Sequence, residues 1–216
     1  MIAPFIRCLN IGTPKKETFP QTTITTGICK EPVPHAVLLG KTGLVGDGVH
    51  DTRHHGGEDK ALCFYSHEHY PFWSAELGIT MPPAAFGENI TLEGLREDEV
   101  CIGDIFHLGE ATVEISQPRQ PCKVLAARYG RSDLVKMVIN KGFTGWYSRV
   151  LVGGSIKKGD AMTLVTKSPQ QVSITLANTI FHHDRRNRAG IEQVLAVAAL
   201  SKSWQKSFQE LLAACP

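Results

Sequence analysis

The sequence predicts a mainly β fold, a barrel or sandwich with peripheral helices, followed by a small three-helix unit at the C-terminus. Three observations carry this. The first two-thirds of the chain is a succession of short runs rich in β-branched and aromatic residues, separated by glycine-containing turns. One pair of runs, FHLGEATVEIS at 106–116, reads as a hairpin closed by Gly109-Glu110. After TKSPQQ at 166–171 glycine becomes scarce and helical periodicity takes over.

In chain order, strands are expected at 6–11, 22–28, 37–39, 61–65, 89–92, 104–108 and 112–116, then at 147–152 and 161–165. The Gly103-Asp104 and Gly159-Asp160 pairs mark two strand entries. A helix fits 67–78, with Ser66 as cap, Tyr70, Trp73 and Leu77 on one face and Gly78 as its stop. Pro71 fits only if that helix starts late or kinks. Ser132 caps a second helix over 133–142, whose Leu134, Val135, Val138 and Ile139 form one stripe before Gly142. The tail offers helices at 174–181, 188–199 and 202–214, the last with Ser201 at its N-cap. A boundary at 167/168 separates residues 1–167 from 168–216, a piece with little core of its own that is expected to pack on the sheet.

A chain of 216 residues suffices for one large domain with such an appendage. A net charge of +2 gives no support to broad binding of nucleic acid or an acidic membrane, so neither partner is expected. No apolar run approaches the ~18 residues of a spanning helix, and the N-terminus lacks the apolar core and cleavage site of a signal peptide. The six cysteines are scattered without a CxxC pair, which argues against a zinc ribbon, a thioredoxin-type centre or a disulfide scaffold. A cytoplasmic protein with reduced thiols is expected.

The densest chemistry lies in SQPRQPCKVLAARYG, 116–130. Pro118 and Pro121 cannot donate to a ladder, so the preceding strand is expected to end near Ser116 and a stiff loop to follow. KVLAARYG reads as a short helix with Cys122 at its start, flanked by Arg119 and Lys123. Both cations and the positive helix end favour a thiolate, which is a nucleophile and a soft metal ligand. The competing reading is a cysteine that fills space under the loop. That plainer reading is kept for Cys8, Cys29 and Cys215, and Cys63 and Cys101 read as core.

A second dense stretch, GDGVHDTRHHGGEDKAL at 46–62, holds His50, His54 and His55. The i, i+4 spacing of the first two would bind metal only on a helix, and the glycines argue for a loop. An anion pocket suits it better: Arg53 and His55 donate, and Gly56-Gly57 admits a ligand close to the backbone. Gly40-Lys41-Thr42 fails as a phosphate loop, because His35 stands where its first glycine belongs. No dinucleotide fingerprint and no nucleophile elbow is present. Lys30 lies just past a strand end, and Asn89 in GENITLEGL suits a buried position beside a ligand.

Three segments together, TRHHGGEDKALCFYSHEHYPFW, FGENITLEGLREDEVCIGDIFHLGEATVEISQPRQPCKVL and LSKSW, resemble the MOSC family, named for the C-terminal domain of molybdenum cofactor sulfurase. They are most similar to its stand-alone bacterial YiiM-like branch, associated with resistance to 6-N-hydroxylaminopurine. The resemblance spans essentially the whole chain and implies a MOSC-type β-barrel with a three-helix C-terminal domain. It implies a pyranopterin molybdenum cofactor with Cys122 as the protein ligand to the metal. By motif position, Arg53, His55 and Arg119, with Lys30 and Asn89, would hold the cofactor. The implied activity is reduction of N-hydroxylated substrates at that centre, with His55 as candidate proton donor. The chain carries no flavin or iron–sulfur motif, so electrons are expected from an external reductase. Two departures from the family pattern are a short tail poor in basic residues after LSKSW, and His54 beside the motif histidine.

Two other functions share the basic pocket: a non-catalytic cofactor carrier, and sulfur transfer through a Cys122 persulfide. Periodicity leaves a homodimer through the terminal helices equally open.

Overall fold

The computed structural model describes residues 3–52 and 55–215, so Arg53 and His54 lie outside the described residues. Strands follow in the order β1 (Phe5–Ile11), β2 (Lys15–Phe19), β3 (Thr22–Thr26), β4 (Glu31–Pro32), β5 (Val37–Gly40), β6 (Gly43–Leu44) and β7 (Leu62–Ser66). After helix α1 (Tyr70–Leu77) come β8 (Ile90–Glu93), β9 (Ile105–Leu108) and β10 (Ala111–Pro118). Helices α2 (Lys123–Tyr129) and α3 (Leu134–Lys141) lead to β11 (Trp146–Val152), β12 (Gly154–Ile156) and β13 (Met162–Thr166). The tail holds α4 (Ile174–His182), α5 (Arg188–Leu195) and α6 (Lys202–Ala213).

The large sheet runs β13-β9-β10-β11-β7-β8-β1-β4, with β12-β5-β6 and the β2-β3 hairpin beside it. Its pairs are antiparallel except β7 with β8, which are joined through α1. Strand β1 also meets the entry to β13. Phe5 bridges Ala161, Ile6 N–H donates to the Asp160 carbonyl at 2.9 Å, and Met162 N–H donates to that of Pro4 at 2.7 Å. The fold is sheet-dominated, as expected, but among the described residues β1 and β13 touch only through this short seam and not the full ladder that a closed barrel has.

Alternation along β7 divides the interior. Leu62 and Phe64 enter a core shared with Ile90, Leu92, Val113, Ile115 and Trp146, while Tyr65 faces a second cluster with Trp73, Phe86, Leu125 and Leu134 beneath α1, α2 and α3. The main core continues without a break into the tail through Ile174, Trp204 and Phe208. Each such side chain contributes on the order of 2–3 kcal/mol by burial, so the tail draws its stability from the sheet. Among the described residues no helix is long and apolar enough to cross a membrane.

Several boundaries depart from expectation. The 22–28 strand stops at Thr26 and pairs with β2, whose Lys15-Lys16-Glu17 run carries no strand-like alternation. Strand β10 runs two residues past Ser116: a bulge between Ile115 and Gln117 bends it, and Pro118, at the strand end, pairs with Trp146. Pro71 occupies the first turn of α1, which starts at Tyr70 after a 3-10 turn over His67–His69, so no kink is needed. The N-cap of α3 is Asp133, whose carboxylate is held by Arg131, and not Ser132. Helix α5 ends at Leu195, four residues short of the expected 199, because Val197 and Leu200 turn into the core and Ser201 N–H bonds the Ser116 carbonyl at 3.0 Å. Ser201 does cap α6, its hydroxyl accepting the Trp204 N–H. Cys63 is buried as expected, whereas Cys101 is only partly so.

Candidate functional site

Beyond Pro118 the chain keeps one more ladder-like bond, Arg119 N–H to the Gly145 carbonyl at 3.0 Å. Gly145 has φ +71°, and a Cβ there would lie 2.2 Å from the Phe64 carbonyl oxygen, so only glycine permits this approach. Arg119 is thereby turned inward and is only 5% exposed. Its Nη2 donates to the Phe86 carbonyl at 2.6 Å and its Nη1 weakly to that of Thr144 at 3.5 Å. Among the described residues no carboxylate pairs with it. Burial works against its charge, yet the fields of Cys63, Tyr147, Cys122 and the nearby Glu88 carboxylate prevail and raise its pKa above the ordinary guanidinium value.

Three residues on, Cys122 takes extended backbone geometry (φ −113°, ψ 166°) as N-cap of α2, and its thiol is partly buried. Arg119 and Cys122 line one cavity of about 500 Å³ together with Lys30, His55 and Asn89. Five of the six residues singled out above therefore share a pocket, and the sixth, Arg53, lies outside the described residues. The described part of 45–57 is loop, and His54, the second member of the His50–His54 pair, lies outside the described residues. His55, Gly56 and Gly57 edge the cavity, the two glycines at φ +74° and +82°.

Asn89 is held within the wall of the cavity. Its amide N–H groups go to Asp47 Oδ2 at 2.9 Å and the Asn10 carbonyl at 3.4 Å, and its Oδ1 accepts Cys63 N–H at 3.2 Å. It faces the cavity as a wall whose donors are already engaged. Lys30, also buried, pairs with Asp47.

Asp47, Lys60, Cys63 and Tyr147 also line the cavity; sequence reasoning passed over Asp47, Lys60 and Tyr147 and read Cys63 only as core. Asp47, set between glycines in VGDG, was the detectable one; Tyr147 sits in an unremarkable strand. Burial pushes the Cys63 thiol up to about 11. Burial and the Cys63 field push the Tyr147 phenol far above its usual range, so its hydroxyl is a neutral donor, 3.5 Å from His55 Nδ1. Lys60 is lowered from the ordinary lysine value, chiefly by burial. The lining cations Lys30, Lys60, Arg119 and Lys123 outnumber the lining carboxylates Asp47 and Asp51. Among the described residues no group of three or more His, Cys, Asp or Glu side chains is placed to hold a metal.

The tail braces this site from behind. Gln117 Oε1 accepts the hydroxyls of Ser201 at 2.7 Å and Ser203 at 3.1 Å. Lys202 N–H donates to Asp59 Oδ2 at 3.0 Å, and Asp59 Oδ1 receives Arg149 at 2.7 Å. The three segments quoted for the resemblance thus meet in space: GGEDK, SQPRQPC and LSKSW.

The chain belongs to the MOSC family, whose domain model matches residues 51–163, the stretch that carries His55, Asn89, Arg119 and Cys122. The tail narrows the placement, because residues 172–214 match the YiiM-like, 3-alpha helix domain. The crystal structure of YiiM from Geobacillus stearothermophilus superimposes with a TM-score of 0.83 at 41% identity, over 97% of this chain and 99% of that one. The uncharacterized protein YflK of Bacillus subtilis is 46% identical over 202 residues, 94% of this chain and 91% of YflK. A protein of Gibberella moniliformis named Reductase is 38% identical over 152 residues, 67% of this chain but 26% of that longer one.

Proposed function

We propose that the chain binds a pyranopterin molybdenum cofactor in this pocket, with Cys122 as the protein ligand to the metal. We further propose that it reduces N-hydroxylated compounds such as 6-N-hydroxylaminopurine, using electrons from a separate reductase. The observation that carries the reading is Arg119, a buried guanidinium that bonds backbone carbonyls and, among the described residues, no carboxylate, in the same pocket as Cys122. A buried charge left unpaired is costly, and an anionic ligand beside a thiol would supply the missing partner. The residues fit the group on two further counts. The cavity of about 500 Å³ suits a pterin-sized molecule. A site with a partly buried Cys122 and, among the described residues, no metal-holding cluster suits a metal that brings most of its own ligands.

When bound, the cofactor supplies two-electron redox chemistry at the metal. The chain's own residues do the rest. Cys122 offers a soft sulfur ligand, and Arg119 with Lys123 and Lys30 offers cationic N–H donors to a phosphate. His55 holds a proton at the pocket edge for the departing hydroxyl, its Nδ1 directed at the Tyr147 hydroxyl. Phe86 and Val124 give the lining its apolar part, which limits water at the reacting end. The family relative named Reductase matches this chain over about a quarter of its own length, which supports pairing with a reductase component.

The deciding experiment assays molybdenum and oxidised pterin together, in the parent and in Cys122→Ala, from a host that makes the cofactor. Near-stoichiometric metal and pterin in the parent, with metal lost in the variant, is expected. Pterin without molybdenum in both would favour a carrier. Neither signal in a folded protein would overturn the reading.

A further inference from the structure

One part of the polar lining converges on a single carboxylate. Asp47 follows β6 on a turn fixed by its own N–H to the Leu44 carbonyl at 3.1 Å. Its Oδ1 accepts Gly12 N–H at 2.9 Å and pairs with the Lys30 ammonium, and its Oδ2 accepts Asn89 Nδ2 at 2.9 Å. The groups come from three separate places in the chain: the end of β1, the approach to β4 and the approach to β8. All of them face the cavity except Gly12.

We propose that Asp47 is the positioning residue of the pocket: it fixes the Lys30 ammonium where an anionic ligand can use it, and acts on that ligand only through Lys30. The inference rests on the anion pocket within the proposed function, not on the metal or the reaction. A lysine carries its charge on four rotatable bonds, and holding it still costs side-chain entropy. Asp47 meets that cost before the ligand arrives, and one N–H directed at the carboxylate leaves two for the ligand. The Lys30 side chain is 5% exposed, so without Asp47 the ammonium would sit in the wall with no counter-charge. Carboxylate–anion repulsion acts in the opposite direction. The Asp47 side chain, 13% exposed, has both oxygens engaged by donors, which turn much of its field away from the cavity. Arg119 needs no such partner because backbone carbonyls aim it.

The test measures inorganic phosphate binding to the purified full chain, as parent, Asp47→Asn, Lys30→Met and the double variant. The expected result is at least threefold weaker binding in Asp47→Asn, with the double variant no weaker than Lys30→Met alone. A second readout is acylation of lysines, followed by mass spectrometry of the Lys30 peptide. Lys30 is expected to react at least fivefold faster in Asp47→Asn than in the parent, relative to the exposed Lys16 in the same sample. Phosphate binding by Asp47→Asn equal to or tighter than the parent, additive losses in the double variant, or unchanged Lys30 labelling would each overturn the proposal. A parent that binds no phosphate would overturn it together with the anion pocket. Molybdenum content in Cys122→Ala reports separately on the proposed function.

Discussion

Arg119 Nη2 lies 2.6 Å from the carbonyl oxygen of Phe86, so a backbone acceptor and not a carboxylate aims the buried guanidinium. Phe86 is itself placed by Glu88, whose Oε2 accepts the Phe86 N–H at 2.9 Å while Oε1 receives the Tyr70 and Thr91 hydroxyls. Aim and neutralisation are thereby separated. The local backbone supplies the first, and under the proposed function the second falls to a ligand.

Arg119→Met keeps the aliphatic stem and removes the charge. Thermal melts of the parent should rise with phosphate, since a ligand that binds only the folded state stabilises it. In Arg119→Met that response should vanish, while the phosphate-free melt moves by no more than the ~1–3 kcal/mol set by lost carbonyl bonds. An unchanged phosphate response would remove Arg119 from the anion site.

The two pocket thiols should differ sharply in reactivity. With its thiol held at about 11, Cys63 is ionised at pH 8 in only about one molecule per thousand. Iodoacetamide at pH 8, read by peptide mass spectrometry, should label Cys122 and spare Cys63. Label on Cys63 should emerge only above about pH 10.

The same thiol predicts alkaline sensitivity. Cys63 is neutral when protonated, and folding raises its pKa from 9.0 to about 11, so the folded state holds this proton more tightly. Its contribution is complete below pH 9 and is lost as the pH climbs through 11, by about 2–3 kcal/mol at about 1.4 per unit. Urea unfolding at pH 8 and pH 11 should show a smaller alkaline loss in Cys63→Ala than in the parent. Equal losses would mean that the thiol does not titrate in this window.

Ser201→Ala removes the cap on Trp204 N–H and the bond to Gln117 in one step. A loss of ~1–3 kcal/mol is expected. Restoration of both bonds by Ser201→Thr should recover most of it. A change confined to the tail, with no effect on amide exchange at Gln117 and Arg119, would show that the brace does not reach the site.

Much of this was legible in residue order. The prolines around Arg119 and Cys122 announced a rim loop, and glycine pairs announced the loop that carries His55. Asn89 in GENITLEGL was legible as a pocket position, but its engagement with Asp47 and Cys63 was not, because those partners are distant in the chain. Tyr147 was missed because nothing in its neighbours distinguishes it from any other strand tyrosine, and the glycines around Asp47 signal a turn without its partners; the meaning of both comes from contacts with residues 30, 63 and 89. The bulge in β10 escaped for a related reason. It is set by the partner strand β11, whose register a single run cannot report.

The seam between β1 and the entry to β13 has a consequence for motion. The strand that closes it also carries Asn10, and Gly12 follows directly beyond, the two residues that hold Asn89 and Asp47 from the side away from the cavity. A fluctuation that unzips Phe5 and Ile6 and spreads along β1 would withdraw support from the polar wall before it disturbs Cys122. Occupancy of the pocket should therefore slow deuterium uptake at the Ile6 and Met162 amides, far along the chain from any ligand contact. Ligand and seam would then hold the same opening shut from opposite ends of one strand.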